Sequence, residues 1–148
     1  MALPSGPTAT SSEAEAVLFE LVDHYDRAYE AAAAQLSLTA AQACLLGRLD
    51  ERHGMGALAE ELGCDASNVT QIVARLEALD LVKREPDPGD RRARLVARTP
   101  GGDELNRRFE EAFTFARSAM GRLSVAEQER LASLLRKALG RDTRTTNG

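Results

Sequence analysis

The chain has 148 residues and a formal net charge of −4, and it contains four phenylalanines, two tyrosines and no tryptophan. This length suits one domain with a core of its own, and the composition makes that core mainly aliphatic. No segment is apolar over the roughly 20 residues that a membrane-spanning helix needs, and the first residues lack the basic and apolar regions of a signal peptide. We therefore expect a cytoplasmic protein without a membrane partner.

The two ends of the chain are short and polar. Residues 1–11, which are small and contain proline, are predicted to form a disordered arm, and residues 141–148 a flexible tail. The sequence between them, residues 12–140, is predicted to form a single domain.

Two capping boxes predict the first two helices. The patterns S-x-x-E at Ser12 and T-x-x-Q at Thr39 satisfy the free amides at a helix start. The second helix is predicted over residues 43–51. The first is predicted over about residues 12–34, with one apolar face made by Leu18, Leu21, Val22, Tyr25, Tyr29 and Ala32.

The next segment predicts two helices joined by a tight turn. Leu58 and Leu62 face inward on the first of them, and residues 62–64 suit a helix end followed by a turn. Asp65 is a candidate N-cap for the second, predicted over Asp65–Leu79. A buried stripe on that second helix is formed by Val69, Ile72, Val73 and Leu76. The pair has the outline of a helix-turn-helix.

The opposite face of this second helix is short and uncharged at its centre, whereas a solvated helix surface more typically carries glutamate and lysine. Small residues let a helix approach a groove closely, and asparagine and glutamine can bond the edge of adenine. The face centres on Ser67, Gln71, Ala74 and Ala78, flanked by Asn68, Thr70 and Arg75. The sequence therefore predicts a recognition helix.

A basic hairpin is predicted directly after this helix. Extended runs begin at Leu81 and at Arg94, and the residues at 86–90 are typical of a turn. From Val82 to Arg98 there are six cationic and three anionic side chains, a net charge of +3 on a chain that carries −4 overall. This contrast is typical of a local surface that binds phosphate.

The remaining sequence predicts further amphipathic helices. Thr99 precedes Pro100 as a cap residue precedes proline at the first helical position, and Ser124 opens a third capping box. Between them a long apolar stripe runs through Leu105, Phe109, Ala112, Phe113, Ala116, Met120 and Leu123. The last helix faces inward with Leu131, Leu134, Leu135 and Ala138.

An ordered set of short motifs resembles a known family. The motifs are Leu58-Ala59-x-x-Leu62-Gly63, then Ser67-x-Val69-Thr70-x-x-Val73-x-x-Leu76-Glu77-x-x-x-Leu81-Val82, and finally Asp90-x-Arg92, Leu95-Val96 and Thr99-x-x-Gly102. Over about residues 38–102 this set resembles the MarR family of bacterial transcriptional regulators. The resemblance implies a mainly α fold with a small β-hairpin wing. A winged helix-turn-helix head over about 38–99 would be flanked by dimerisation helices over about 12–34 and 100–140.

The resemblance also implies a binding surface for double-stranded DNA. Arg92 would reach the minor groove from the wing tip while Asp90 holds its guanidinium, and Arg84 and Arg94 would add to the basic wing. Arg98 departs from the family, which usually has an apolar residue there, and it either extends the basic edge or disturbs the packing of the wing. The major groove would be contacted by Ser67, Asn68, Thr70, Gln71 and Arg75.

The resemblance further implies a homodimer whose DNA binding responds to a small ligand, although the apolar faces of the terminal helices would also suit packing on their own head. The terminal helices would hold two recognition helices on a pseudo-palindromic operator, and a phenolic or aromatic effector would release a repressor by changing the spacing of those helices. The candidate effector residues are His24, Tyr25, Tyr29, Arg48 and His53.

Cysteine usage leaves a redox alternative open. Two cysteines in a cytoplasmic chain do not imply a disulfide framework, and a buried cysteine is most often a small hydrophobic residue. Cys64, however, precedes the N-terminus of the recognition helix, where the helix dipole lowers a thiol pKa. Oxidation of Cys64, or of Cys44 on the second helix, would then release DNA.

No catalytic pattern competes with these hypotheses. The two histidines are not spaced as a metal pair, and no CxxC, HExxH, G-x-S-x-G or phosphate-loop motif occurs. We therefore expect neither an enzyme nor a bound cofactor or metal. A helical protein-interaction module is the alternative from another class, but such a module would not need the basic wing.

Overall fold

The computed structural model describes residues 12–141, so the predicted arm and the tail beyond Arg141 lie outside the described residues. The described residues form seven α-helices and three β-strands, which confirms the predicted mainly α class. In chain order these are α1 (Glu13–Gln35), α2 (Ala40–Arg48), β1 (His53–Gly54), α3 (Met55–Leu62), α4 (Ala66–Ala78), β2 (Val82–Asp87), β3 (Asp90–Arg98), α5 (Pro100–Ala112), α6 (Phe115–Met120) and α7 (Val125–Ala138).

The fold divides into two compact units after Phe113. The first contains α1 to α5 and the sheet, and the second contains α6 and α7. Within the second unit the Gln128 side-chain amide donates to the carbonyls of Met120 and Leu123, at 3.0 and 3.2 Å, and so ties the start of α7 to the end of α6. That residues 12–140 act as one domain stays a prediction.

The predicted caps begin the helices as expected. The Thr39 and Ser124 boxes are complete, with each hydroxyl accepting from an amide three residues on and the returning side chain bonding the cap amide. The Ser12 hydroxyl accepts from the Glu15 amide at 3.2 Å. The predicted bounds of the second helix, 43–51, were wrong, since the helix runs over Ala40–Arg48. It begins directly after the Thr39 cap, and it ends where the backbone leaves the helical region at Leu49.

The helix-turn-helix is present with the predicted turn. Gly63 ends α3 in the left-handed region at φ 60°, a conformation that glycine adopts without a steric penalty. Asp65 occupies the N-cap position of α4, although its side chain makes no capping bond. Val69, Val73 and Leu76 are fully buried on the inner face of α4.

The core lies where α1 to α5 meet and is aliphatic, as the composition predicts. Its largest fully buried side chains come from α2, α3, α4 and β3, and burying each contributes about 1.5–3 kcal/mol. Phe109 of α5 adds the one buried aromatic ring among the described residues. The fully buried set is Leu45, Leu46, Leu58, Leu76, Val69, Val73 and Val96.

The wing is the antiparallel pair β2 and β3, extended by a third strand that the sequence did not indicate. The strand order is β1-β3-β2, with His53 opposite Val96 and Val82 opposite Arg98. The β3 strand begins at Asp90, four residues before the predicted start, because the turn at the tip is tighter than expected. β1 therefore ties the wing to the entry of α3.

A hydrogen-bonded joint fixes the wing to the recognition helix. The buried Thr99 hydroxyl donates to the Asp80 carbonyl at 2.6 Å and accepts from the Gly102 amide at 3.1 Å. The Thr99 amide donates to the Leu81 carbonyl at 3.1 Å. Thr99, which directly follows β3, thus hydrogen-bonds both the segment after α4 and the first turn of α5.

Arg98 stabilises the base of the wing. Its guanidinium donates from Nη1 to the Leu46 carbonyl at 2.9 Å and from Nε to Asp103 at 2.9 Å, and Nη2 lies 3.2 Å from Asp50. The side chain is only 13% exposed. Arg98 therefore neither extends the basic edge nor disturbs the wing; it links β3 to α2 and α5.

The long apolar stripe after the wing does not lie on one helix. The backbone leaves the helical region at Phe113, at φ −87° and ψ 87°, so α5 ends at Ala112 and α6 begins at Phe115. The Phe113 ring packs edge-on against Tyr25 and Tyr29 of α1, with ring centroids 5.2 and 5.0 Å apart. This aromatic packing holds Phe113 where the helix stops.

The glycine in the joint permits a close backbone approach, which predicts a large effect of adding one methyl group. A Cβ on Gly102 would collide with the Leu81 carbonyl oxygen and lie 3.3 Å from the Arg98 Cβ. We expect Gly102→Ala to destabilise the protein by about 2–3 kcal/mol, because the colliding atom belongs to the backbone and cannot rotate away.

Urea unfolding followed by circular dichroism measures this effect. The control is Gly56→Ala, on α3, where a Cβ meets nothing within 4 Å and a gain of up to about 1 kcal/mol is expected from helix propensity. Equal stability of the two variants would contradict the role of Gly102.

Candidate nucleic-acid interface and adjoining cavity

The outer face of α4 is exposed, as the sequence predicts. The Thr70 hydroxyl donates to the Ala66 carbonyl at 2.9 Å, so its proton is engaged within the helix and the oxygen is left as an acceptor. Among the described residues, no acidic side chain pairs with Arg75. The exposed residues are Ser67, Asn68, Thr70, Gln71, Ala74, Arg75 and Ala78.

In the described part of the chain, the cationic residues at the base of the wing form ion pairs with acidic side chains, unlike those near its tip. Arg84 bonds Glu77 of α4 at 2.8 Å, so this predicted DNA contact is locally neutralised. Glu85 is bonded by Lys83 at 2.9 Å and by Arg52 at 3.2 Å. The hydrogen bond from Lys83 lowers the pKa of the Glu85 carboxyl, so Glu85 stays charged against these cations.

The three arginines nearest the wing tip have no acidic partner within residues 12–141. Arg91, Arg92 and Arg94 are all exposed on β3, and Arg92 and Arg94, two residues apart, point to the same side of the strand. The pairs at the wing base therefore leave the positive charge concentrated toward the tip.

Asp90 organises the backbone of the tip. Its Oδ1 accepts from the Arg92 amide at 2.9 Å, and Asp87 accepts in the same way from the Gly89 amide at 2.8 Å. We expected Asp90 to hold the Arg92 guanidinium. In the part of the chain that the structure describes, that ion pair is absent, because the carboxylate is turned toward the backbone and leaves the guanidinium free.

A cavity of about 870 Å³ adjoins the recognition helix. Three of the predicted effector residues line it, namely Tyr25 and Tyr29 of α1 and Arg48 of α2. Burial, with Cys44 close by, raises the pKa of Tyr29 well above its usual value, so this hydroxyl is neutral and can donate a hydrogen bond. The volume lies in the range of sites for small molecules.

The two predicted histidines do not join this cavity. His24 is exposed and lies 4.0 Å from Glu20 on the same helix, and His53 bonds Glu61 at 3.3 Å where β1 meets α3. Neither lines the cavity wall. Although both histidines are near the cavity residues in sequence, His24 projects from another side of α1 and His53 is held at the sheet.

The cavity is also lined by residues that the sequence did not indicate as part of an effector site. Asn68, Gln71 and Ile72 of α4 form part of the wall, which the recognition helix therefore shares. They lie at i, i+3 and i+4, the spacing of one helix edge. That spacing was visible in the sequence, but nothing there showed which element lay opposite.

Both cysteines line the same cavity as free thiols. Cys44 comes from α2 and Cys64 from the turn before α4, and each is half-buried. The redox hypothesis for these residues stays a prediction.

No helix among residues 12–141 is long and apolar enough to cross a membrane. Those residues likewise contain no cluster of three or more histidine, cysteine, aspartate or glutamate side chains that could hold a metal ion.

The chain is similar in sequence to several transcriptional regulators. The chain is 35% identical over 94 residues to the HTH-type transcriptional repressor NicR of Pseudomonas putida, and 33% identical over 90 residues to a putative regulatory protein for the hcr operon of Thauera aromatica. These matches cover 61% and 60% of this chain and only 60% and 54% of the relatives. The regulator HosA of Escherichia coli is 31% identical over 115 residues, 69% of this chain and 78% of HosA.

Solved structures share the fold. A mutant of MarR from E. coli in complex with operator DNA is 26% identical with a TM-score of 0.68, covering 84% of this chain and 91% of that one. BpsR of Bordetella bronchiseptica, described with a mechanism for regulation of its DNA binding by 6-hydroxynicotinic acid, is 27% identical with a TM-score of 0.66, covering 86% and 98%.

The family assignment follows from the motifs, the fold and these matches together. The MarR family's sequence model matches residues 36–93, which hold the helix-turn-helix and the first half of the wing. HosA extends the match to most of the chain. The chain belongs to the MarR family of winged helix-turn-helix transcriptional regulators.

Proposed function

We propose that this regulator is a repressor that binds a pseudo-palindromic operator as a homodimer and leaves it when a small aromatic acid binds. The observation that carries the proposal is the uncharged, exposed face of α4, joined through Thr99 to a wing whose three tip arginines have no acidic partner among the described residues. The operator complex of the related MarR and the repressor NicR support the proposal.

On DNA, α4 enters the major groove and the wing tip reaches the backbone or minor groove. Ser67, Asn68, Gln71 and Arg75 supply donors and acceptors for base edges and phosphates, and Thr70 supplies an acceptor. Arg92 and Arg94 supply the cations of the wing. Asp90 acts on the tip backbone, and Arg84, paired with Glu77, contributes less charge to the contact.

Dimerisation is supported by apolar side chains that the chain leaves in solvent. The N-terminal half of α1 exposes Val17, Leu18 and Leu21 by 45–56%, and α7 exposes Leu134 by 55%. Exposed apolar faces of this kind mark contacts between proteins. A second copy would cover them and set two recognition helices about one turn of duplex apart.

The cavity supports an aromatic acid as the effector. Tyr25 and Tyr29 contribute aromatic rings to the lining, and Arg48 offers a cation for a carboxylate. BpsR, whose DNA binding is regulated by 6-hydroxynicotinic acid, is a structural relative with an effector of this class.

Replacement of a wing-tip arginine tests the DNA-binding surface. We expect Arg92→Ala to weaken binding about tenfold, the effect of one charged hydrogen bond of roughly 1.5 kcal/mol. It should also make the salt dependence shallower by about one counterion. Fluorescence anisotropy over a salt series measures both, on the DNA upstream of this protein's own gene and on scrambled DNA.

Arg108→Ala is the matched control, since Arg108 is an exposed arginine of α5 outside the proposed surface. An Arg92→Ala protein with the parent's affinity and salt slope would argue against the wing contact. Parent protein that binds neither DNA at low salt would favour the interaction module instead.

Replacement of Gln71 tests base recognition. We expect Gln71→Ala to cost about 1–3 kcal/mol on the best site and to relax the preference for one base pair, because a bidentate amide contact is lost. Selection of binding sites from a random duplex pool, compared between parent and variant, measures the change. An unchanged preference would place the reading surface elsewhere.

Charge placed on the exposed face of α1 tests the dimer. We expect the double variant Leu18→Asp, Leu21→Asp to shift a dimer to monomer, because two carboxylates would be desolvated at the contact. Light scattering in moderate salt reports the mass, and circular dichroism checks that helix content is kept. A parent protein that is a stable monomer would contradict the dimer directly.

A further inference from the structure

One edge of the recognition helix belongs to two surfaces. Asn68 and Gln71 are exposed on the face of α4 proposed to read bases, and both also line the 870 Å³ cavity beside Ile72. The lining from α1 and α2 includes Tyr25, Tyr29 and Arg48. An effector in this cavity would therefore lie beside the two side-chain amides that are proposed to read DNA.

The cavity wall has the chemistry to hold a hydroxylated aromatic acid in one orientation. Of the charged side chains on the wall, Arg48 is cationic and Asp26 anionic, so the acid's carboxylate belongs at Arg48. The tyrosine rings pack on the aromatic ring. For a hydroxyl elsewhere on the ring, the α4 part of the lining offers the amides of Asn68 and Gln71, which can both donate and accept.

We propose that Asn68 and Gln71 bind the ring hydroxyl of an aromatic acid with the same amide groups that read DNA, so that ligand and operator exclude each other directly. The inference rests on the proposed function and goes beyond it, because release then needs no change in the spacing of two recognition helices. Gln71 and Asn68 become specificity residues for the effector as well as for DNA.

Direct exclusion and a conformational mechanism differ in a measurable way. When two ligands compete for the same groups, the apparent Kd for DNA rises with ligand concentration without limit. When the ligand acts through a second state that still binds DNA with lower affinity, a ternary complex forms and the apparent Kd reaches a plateau, typically about 5- to 150-fold above its starting value.

The first experiment uses DNA-free protein, so it does not depend on the operator. Isothermal titration with 6-hydroxynicotinate and with nicotinate, which lacks the hydroxyl, compares the parent with Gln71→Ala and Asn68→Ala. We expect each variant to lose about threefold to tenfold in affinity for 6-hydroxynicotinate, the effect of one neutral hydrogen bond, and to bind nicotinate as the parent does.

Gln35→Ala is the matched control, since Gln35 is an exposed glutamine at the end of α1 and does not line the cavity. Arg48→Ala should weaken both acids equally, because it removes the carboxylate contact. Equal affinity of parent and Gln71→Ala for 6-hydroxynicotinate would overturn the proposal, as would the absence of binding by the parent at millimolar concentration.

The second experiment titrates 6-hydroxynicotinate into the protein–operator complex. A rise in the apparent Kd for DNA that reaches no limit supports direct exclusion, and a plateau overturns it in favour of coupling through a second state. Failure of the parent to bind any DNA would overturn the proposed function, and the titrations on free protein would still report separately whether the amides hold the acid.

Discussion

The Thr99 hydroxyl joins the three elements whose arrangement any DNA contact requires. It bonds the end of α4 through the Asp80 carbonyl and the start of α5 through the Gly102 amide, while its own amide bonds Leu81 at the entry to the wing. Because the side chain is buried, a lost partner would leave a polar atom unsatisfied and cost about 1–3 kcal/mol. These hydrogen bonds hold the recognition helix and the wing, which must both fit one DNA duplex, at a fixed angle to each other.

Arg98 extends the same constraint to the far side of the wing. Its three partners come from the end of α2, the loop after it and the first turn of α5. An apolar residue could fill this space, but it could not add a second hydrogen bond to the Leu46 carbonyl, which also accepts from the Leu49 amide at 3.2 Å. At this C-terminus of α2 a cation also meets the negative end of the helix dipole. The wing base is thus set by a charged network, which removes Arg98 from the charge available to DNA.

The distribution of paired and unpaired charge explains how an acidic chain can bind a polyanion. Exposed charges act over a Debye length of about 8 Å at physiological salt, so the field at the wing depends on its own residues more than on the net charge of −4. The acids at the wing base pair with cations there. The local potential at the tip is then set by three arginines against Asp87 and Asp90, and it is positive.

Local signals predicted most of the fold, because caps and helix stripes act within one or two turns. The boxes at Thr39 and Ser124 and the buried stripe of α4 needed no knowledge of distant residues. Strand β1 has only two residues, too few to show alternation, and its partner Val96 lies more than forty positions away. Nor could periodicity detect the break at Phe113, since the stripe continues through it.

The site was predicted in its parts but not in its assembly. From the sequence, the amides of Asn68 and Gln71 are predicted to contact DNA, and Tyr25, Tyr29 and Arg48 to contact an effector on a separate surface. Whether one helix edge serves both depends on how α1 and α2 pack beside α4, which is a long-range contact. Helix spacing places Asn68, Gln71 and Ile72 on one edge but cannot say what lies across from it.

A shared edge would tie two specificities together. A substitution at position 71 that adapts the protein to a new operator would also change the donors offered to the effector, so the regulator could not acquire a new site and keep its ligand unchanged. Arg48 and the tyrosines, which do not lie on the reading face, are free of this restriction. Divergence in effector class should therefore accumulate on α1 and α2, while the α4 edge changes only when operator and ligand change together.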